Sequence, residues 1–169
     1  YTTVGWIKRS KELFMRWAEL AAFSAVMRTH EGNRPEVNWQ FHSDSETLAH
    51  FAKMSQVHVA LKPYIRAALN EYQAQGLPLI RHLWLHYPDD SQVLDLKFQY
   101  LFGRDLLVAP VRRRGRKTQK LYLPVDQWVH LWTGEEYASG WQIVSAPLGQ
   151  PPVFYRKTSQ WRQLFVDLI

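Results

Sequence analysis

The spacing of apolar positions changes twice along this chain, and each change marks a different kind of structure. From Ser10 to Met27, Leu13, Trp17, Leu20, Ala21 and Ser24 recur at intervals of three and four, which predicts a helix with that face inward. It runs into Arg28, and Gly32 and Pro35 oppose its continuation. A second helix is expected to start near "SDSE", where Ser43 and Glu46 have the spacing of a capping box. Leu48, Phe51, Ala52, Ser55, Val59 and Leu61 then follow at helical intervals. Pro63 lacks an amide hydrogen and crowds the preceding turn, so a kink or a split is expected there. The helical pattern resumes from Tyr64 to Gln75 and stops at Gly76, a residue suited to the left-handed position after a helix.

The period then shortens. "LPLIRHLWLHYP", Leu77 to Pro88, is apolar on both parities and reads as a strand buried on both faces. With the helix before it, it suggests an αβ unit of a parallel barrel or doubly wound sheet. After Asp89 come short β runs separated by Pro or Gly: Leu106–Val111, Lys120–Val125, Trp128–Tyr137, Trp141–Leu148 and Pro152–Arg156. Their spacing predicts an antiparallel sheet or sandwich. The chain thus reads as α/β plus all-β, with the seam between Asp89 and Asp105.

Composition narrows the class. Apolar residues make up 46% of the 169 positions, enough for a sizeable core in one domain or in pieces of two. No run approaches the roughly eighteen apolar residues that span a bilayer, and no secretory signal opens the chain. Tyr1 stands where an initiator methionine would, which leaves room for sequence upstream. Cysteine is absent, so a disulfide frame, a thiolate nucleophile and a Cys-based zinc site are excluded. That composition fits a cytoplasmic protein. The net charge of +6 arises mostly in "RRRGRK", Arg112 to Lys117, whose central Gly115 suggests a solvated hairpin or loop tip. A phosphate-binding patch is the rival reading of those residues.

Candidate chemistry is sparse. No G-x-S-x-G elbow exposes a serine. His82 and His86 would lie about 13 Å apart along a strand, too far for one metal ion, and are expected to be packed or hydrogen-bonded. Asp89-Asp90 is expected to start a turn or cap a helix, and Glu135-Glu136 to lie in a hairpin turn, so neither forms a catalytic carboxylate pair. Trp128, Trp132 and Trp141 could serve a carbohydrate-binding sandwich as stacking platforms, or could be core. The remaining candidate is "RTHEGNRP", Arg28 to Pro35. Arg28, His30 and Arg34 could present donors to hydroxyls or an anion there, or Arg28 could simply pair with Glu31.

"RWAELAAFSAVMRTH", the helix holding "LKPY", "GLPLIRHL", "FGRDLLVAPV" and "LYLPVDQWVHLWTGE" occur in the order seen in glycoside hydrolase family 31, and the chain resembles the C-terminal part of such an enzyme. Within the family, "RTHEGNRP…NWQF", "KRSKEL" and "PPVFYR" resemble the sulfoquinovosidase group more than the α-glucosidases and α-xylosidases, while His82 departs from a common proline. The resemblance implies that residues 1–104 form the C-terminal portion of a (β/α)8 barrel and residues 105–169 a β-sandwich. It also implies retaining hydrolysis of α-sulfoquinovosides by two aspartates that would precede Tyr1, so the isolated chain is expected to be inactive. His30 matches the family histidine that bonds a sugar hydroxyl, and Tyr1 matches a tyrosine that helps hold the sulfonate. No cofactor, nucleic acid or membrane is implied; the partner is a carbohydrate. Leu79 to Tyr87 would be the final barrel strand, and without a neighbour it should leave the isolated chain poorly stable or prone to aggregate.

Overall fold

A computed structural model describes residues 8–30 and 34–169. Helix α1 (Lys11–Ala22) begins at Ser10, whose hydroxyl accepts the Leu13 amide at 3.3 Å. Its end is closed by neighbours: the Tyr100 hydroxyl donates to the Phe23 carbonyl at 2.9 Å, and His58 Nδ1 lies 3.1 Å from the Ala22 carbonyl. The helix is therefore five residues shorter than Met27 would make it. It also turns a different face inward. Phe14, Met15, Ala18 and Ala22 are buried, whereas Leu13 and Trp17 stand 45% and 52% exposed. Both stripes have helical spacing, and the tertiary contacts select between them.

Helix α2 (Ser45–Ala60) is capped by Asp44 rather than Ser43: its Oδ1 accepts the Thr47 amide at 2.7 Å. Ser43 instead accepts the Gln40 amide, and Glu46 pairs with Lys11 at 2.5 Å, so the expected capping box is replaced by two other contacts. The buried residues are Thr47, His50, Met54 and Val57, one step round from the expected face. Leu61 ends α2 and opens α3 (Lys62–Gln75), with Pro63 in its first turn, so the proline splits the helix as its missing amide hydrogen demands. Gly76 closes α3 at φ 73°.

The expected long strand after Gly76 is not formed. Only Ile80–Arg81 pairs as a strand, β1, antiparallel to β2 (Tyr100–Phe102), a strand the sequence reading missed. Arg81 is 1% exposed, and its guanidinium bonds Glu71, the Pro78 carbonyl and His86. His82 Nδ1 then accepts the Trp84 amide and starts a 3-10 helix over Leu83–Leu85, so the apolar run turns instead of extending. A second 3-10 helix, Ser91–Val93, is capped by Asp90.

The β runs appear as β3 (Leu106–Val108), β4 (Thr118–Leu123), β5 (Trp128–His130), β6 (Glu136–Tyr137), β7 (Gly140–Ser145) and β8 (Val153–Arg156), followed by a short helix α4 (Arg162–Val166). Six strands form one antiparallel sheet in the order β1-β2-β3-β8-β5-β6, and β4 pairs with β7 in a second. The larger sheet crosses the 104/105 seam, since β1 and β2 share it with β3.

Two cores lie on the two faces of that sheet. Phe102, Leu106, Val108, Val129 and Tyr155 point to α1–α3 and α4, together with Phe23, Met54 and Leu61. Leu101, Leu107, Trp128 and Phe154 point the other way, against Leu121, Leu123 and Val144 of the small sheet and Leu83 and Val93 of the 3-10 segments. Strands buried on both faces carry apolar residues at both parities, which is why Leu106–Val111 reads as a continuous run.

Charged contacts join the layers. Arg16 binds Glu19 at 2.9 Å and donates to the carbonyls of Ala146, Pro147 and Arg116. Glu19 in turn accepts the Gly149 amide at 2.7 Å, and Lys53 donates to the Gly149 carbonyl at 2.9 Å. Arg156 bridges Asp105 at 3.2 Å and Asp126 at 2.7 Å. Burial holds the Asp105 carboxyl above the usual carboxylate range, against the pull of Arg156. Burial works in the same direction on Asp126, but the Gln127 amide and Arg156 outweigh it and lower that group.

Candidate functional site

The loop that follows α1 gathers the candidate residues, and one arginine outside it sets its course. Arg9 lies just before the Ser10 cap. Its Nε donates to the Trp39 carbonyl at 2.8 Å, Nη1 to the His30 carbonyl at 3.2 Å and Nη2 to Gln40 Oε1 at 3.2 Å. Its backbone joins too: the Arg9 amide donates to Asn38 Oδ1 at 2.9 Å, and the Arg9 carbonyl accepts the Trp39 amide at 2.9 Å. Only a planar fork with several fixed donors can hold both ends of one loop this way. The guanidinium carbon also sits 5.4 Å from the Phe14 ring centre, and Phe14, Phe51 and Phe41 continue as an aromatic row with centres 5.9 and 5.8 Å apart.

The far side of the loop is tied to the start of α2. Trp39 Nε1 donates to the Thr47 hydroxyl at 2.9 Å, and Lys11 Nζ lies 2.6 Å from Asp44 Oδ2 and 5.8 Å from the Trp39 ring centre. The Lys11 ammonium and then the Thr47 amide and hydroxyl hold the Asp44 carboxyl down at about 2. At neutral pH this cap is ionised and suited to a helix start.

Within that frame His30 is exposed, with Nδ1 3.5 Å from Arg28 Nη2. Its backbone is held by Arg9 while, among the described residues, its ring meets only Arg28, which suits a side chain that donates to or accepts from a ligand hydroxyl. Arg28 is exposed beside it. Tyr1 lies outside the described residues, as does Glu31, so the expected Tyr1 contact and the Arg28–Glu31 pair are not addressed by the structure. Sequence reasoning missed Arg9. Its only signal was "KRS" directly before a helix cap, and nothing in that pattern points to residues 21 to 31 positions away.

The other candidates resolve into structural roles. His82 caps a 3-10 helix, and His86 accepts from Arg81 at 2.8 Å. Asp90 accepts the Gln92 amide and the Tyr122 hydroxyl at 3.0 and 2.8 Å, and Glu136 pairs with Lys157 at 2.6 Å. Trp128 and Trp132 are 1% and 7% exposed, with indole hydrogens donated to Pro124 and Pro151 carbonyls, so both are core. Trp141 is 48% exposed. Arg112 to Lys117 form an exposed loop linking the two sheets, not a hairpin within one. Among the described residues no group of three or more His, Cys, Asp or Glu side chains could hold a metal, and no helix is long and apolar enough to cross a membrane.

Comparison with known proteins gives the same direction from both parts of the chain. The glycosyl hydrolases family 31 TIM-barrel domain matches residues 3–68, and the glycosyl hydrolase family 31 C-terminal domain matches residues 76–159. The sulfoquinovosidase of Escherichia coli (strain K12) is 55% identical over 99% of the chain, which covers 25% of that protein. The sulfoquinovosidase of Agrobacterium fabrum is 48% identical, again over 99% of the chain and 26% of its own length. A solved family 31 sulfoquinovosidase from E. rectale, in complex with the aza-sugar inhibitor IFGSQ, superposes with a TM-score of 0.96 at 46% identity, covering 99% of this chain and 25% of that one. The chain thus spans about a quarter of the length of the relatives it matches.

Proposed function

This chain belongs to glycosyl hydrolase family 31, and from that premise we propose that it is the C-terminal segment of a retaining α-glycosidase acting on α-sulfoquinovosides. The observation that carries the reading is whole-chain identity of 55% and 48% to two proteins of that activity. The two catalytic carboxyl groups lie upstream of Tyr1 on this reading, about 5–5.5 Å apart as a covalent glycosyl-enzyme requires. This segment supplies substrate contacts and their scaffold. The His30 ring bonds a hydroxyl of the sugar in the cleavage subsite, and the Tyr1 phenol donates to a sulfonate oxygen directly or through water. Arg28 orients the loop beside His30.

Residues 1–104 are read as the closing part of a (β/α)8 barrel and 105–169 as the β-sandwich that follows it. What supports the barrel reading is an apolar face left exposed among the described residues. Leu13 and Trp17 of α1 and Ile80 of β1 are 45%, 52% and 48% exposed, and β1 pairs on one edge only among the described residues. A groove of about 570 Å³ lined by Trp17, Leu20, Ile80, Phe98 and Tyr100 runs between them. Preceding barrel elements would cover that face. The proposal places the enzyme in the cytoplasm, a reducing compartment where a chain without cysteine loses nothing.

The test uses the full-length polypeptide that carries this chain. It should cleave a chromogenic α-sulfoquinovoside with far higher kcat/KM than the matching α-glucoside. A clear preference for the glucoside would replace the proposal with an α-glucosidase of the same family. Residues 1–169 alone should cleave neither.

A further inference from the structure

The stretch Arg112 to Lys120 holds six cationic side chains in nine residues, and only Arg112, which also lines the groove beside Phe98, touches the face assigned to the barrel. They equal the whole formal net charge of +6. Among the described residues, no carboxylate forms an ion pair with any of the six. Like charges this dense repel one another, so an unpaired cluster is costly unless its charge is met from outside.

The backbone under the cluster is nevertheless fixed. Gly115 turns the chain at φ 73°, and its amide donates to Glu12 Oε1 at 2.7 Å. Arg16 Nη2 donates to the Arg116 carbonyl at 2.9 Å. Two of the side chains are braced on aromatic rings: the Arg112 guanidinium carbon lies 3.1 Å from the Phe98 ring centre, and Lys120 Nζ lies 4.6 Å from that of Trp141. Stacking restrains these groups while leaving their hydrogen-bonding edges available.

Between the loop and the outward face of β4 and β7 lies a groove of about 290 Å³. Its lining includes Arg112, Arg113, Arg116, Lys120, Thr118 and Ile143, with Lys120 and Ile143 paired across the two strands. We propose that this groove binds a compact polyanion bearing two or more phosphate or sulfate groups. The guanidinium forks match the oxygens of such groups two at a time, and the Thr118 hydroxyl adds a neutral donor. The charge exceeds what one oxyanion would meet. No aromatic side chain lines the groove, so stacking on a sugar or a base is not the mode of recognition. The site shares Arg112 with the face assigned to the barrel, while its test reads anion binding and needs no glycosidase activity.

Isothermal titration of the full-length polypeptide with sodium pyrophosphate at low salt tests it. One saturable site is expected, weakened at least about tenfold in the Arg113→Gln/Arg116→Gln double variant and unchanged in Arg162→Gln. All three positions are exposed, so the variants should melt with the parent. Absence of saturable heat, or equal weakening by Arg162→Gln, overturns the proposal. If pyrophosphate binds, sedimentation with phosphatidylglycerol vesicles decides the source: cosedimentation lost in the double variant means lipid headgroups, and its absence means a free polyanion. A single-stranded oligonucleotide that binds far more tightly than pyrophosphate overturns the compact-anion reading in favour of nucleic acid.

Discussion

Arg9 Nη1 donates to the His30 carbonyl at 3.2 Å across 21 residues, while Nε of the same side chain holds Trp39. One guanidinium thus ties the backbone of His30, the loop residue proposed to meet the sugar, to that of Trp39 nine positions on. Replacing Arg9 by Ala in the full-length enzyme should lower kcat/KM about 10–100-fold, because a displacement near 1 Å at a positioning loop costs that much. Arg9→Lys should recover only part, since one ammonium cannot reproduce the fork. Steady-state kinetics beside a thermal melt check this, and unchanged kcat/KM in Arg9→Ala refutes it.

His30→Ala removes a side chain that is exposed and contributes nothing to either core. The melting temperature should stay within about 1 °C of the parent, consistent with a surface change of less than ~0.5 kcal/mol. The loss of one hydroxyl hydrogen bond should cost about 1–3 kcal/mol in kcat/KM. A stable variant with full activity would remove His30 from the site.

How much of this was legible in the sequence depended on what decides each feature. The split at Pro63 and the stop at Gly76 were readable because the local backbone alone determines them. The β runs were readable because both faces of the larger sheet are buried, which leaves continuous apolar stretches at Leu106–Val108 and Val153–Tyr155. The inward faces of α1 and α2 were not, since Leu13/Trp17 and Phe14/Ala18 both have helical spacing and only the partner selects one. The strand expected at Leu77–Pro88 failed for a related reason. The buried Arg81 recruits Glu71 and His86, and that network bends the chain where hydrophobicity alone predicts extension. Of the proposed site, His30 was named through family resemblance and Arg9 not at all, because its partners are distant in sequence.

Tyr64 shows how the helices grip the sheet. Its buried hydroxyl donates to the Phe102 carbonyl at 2.6 Å and accepts the Asp105 amide at 2.9 Å. Tyr64→Phe strands both groups in the core and should cost about 2–4 kcal/mol. Gly103, between them at φ 61°, has the Tyr64 hydroxyl where a Cβ would stand, so Gly103→Ala should cost more than Tyr64→Phe. Urea unfolding of the full-length protein gives both values, and the reverse order would contradict the clamp.

Residues 1–169 expressed alone should self-associate. Trp17, Ile80 and Phe98 are 52%, 48% and 53% exposed along one groove, beside a β1 edge without a partner among the described residues. An exposed strand edge next to apolar surface is a template for pairing with another chain. Sedimentation velocity should show concentration-dependent species above 20.0 kDa, and a monomer with a sharp two-state melt would rule this out.

His86 gives the fold a calculable response to acid. Arg81 can only donate, so the 2.8 Å contact requires His86 Nε2 to accept and the imidazole to be neutral. Burial, and then the Arg104 and Arg81 guanidinium groups, push its pKa down to about 4, while Glu71 pulls weakly the other way. The unfolded chain takes up this proton near pH 6.5, the folded chain not until about 4. Between those values the unfolded state binds more protons, so this group's stabilising effect is complete above about 6.5 and shrinks as pH falls. It levels off below about 4, and solvent screening at this half-buried ring keeps the total well below the full value of the shift. Burial lowers His50 and His130 as well, which adds in the same sense, whereas the raised Asp105 opposes it. In His86→Gln the amide oxygen can still accept from Arg81 but cannot titrate. Between pH 7 and 4.5 the variant should therefore lose visibly less melting temperature than the parent. Parallel losses in the two proteins would assign the acid response to other groups.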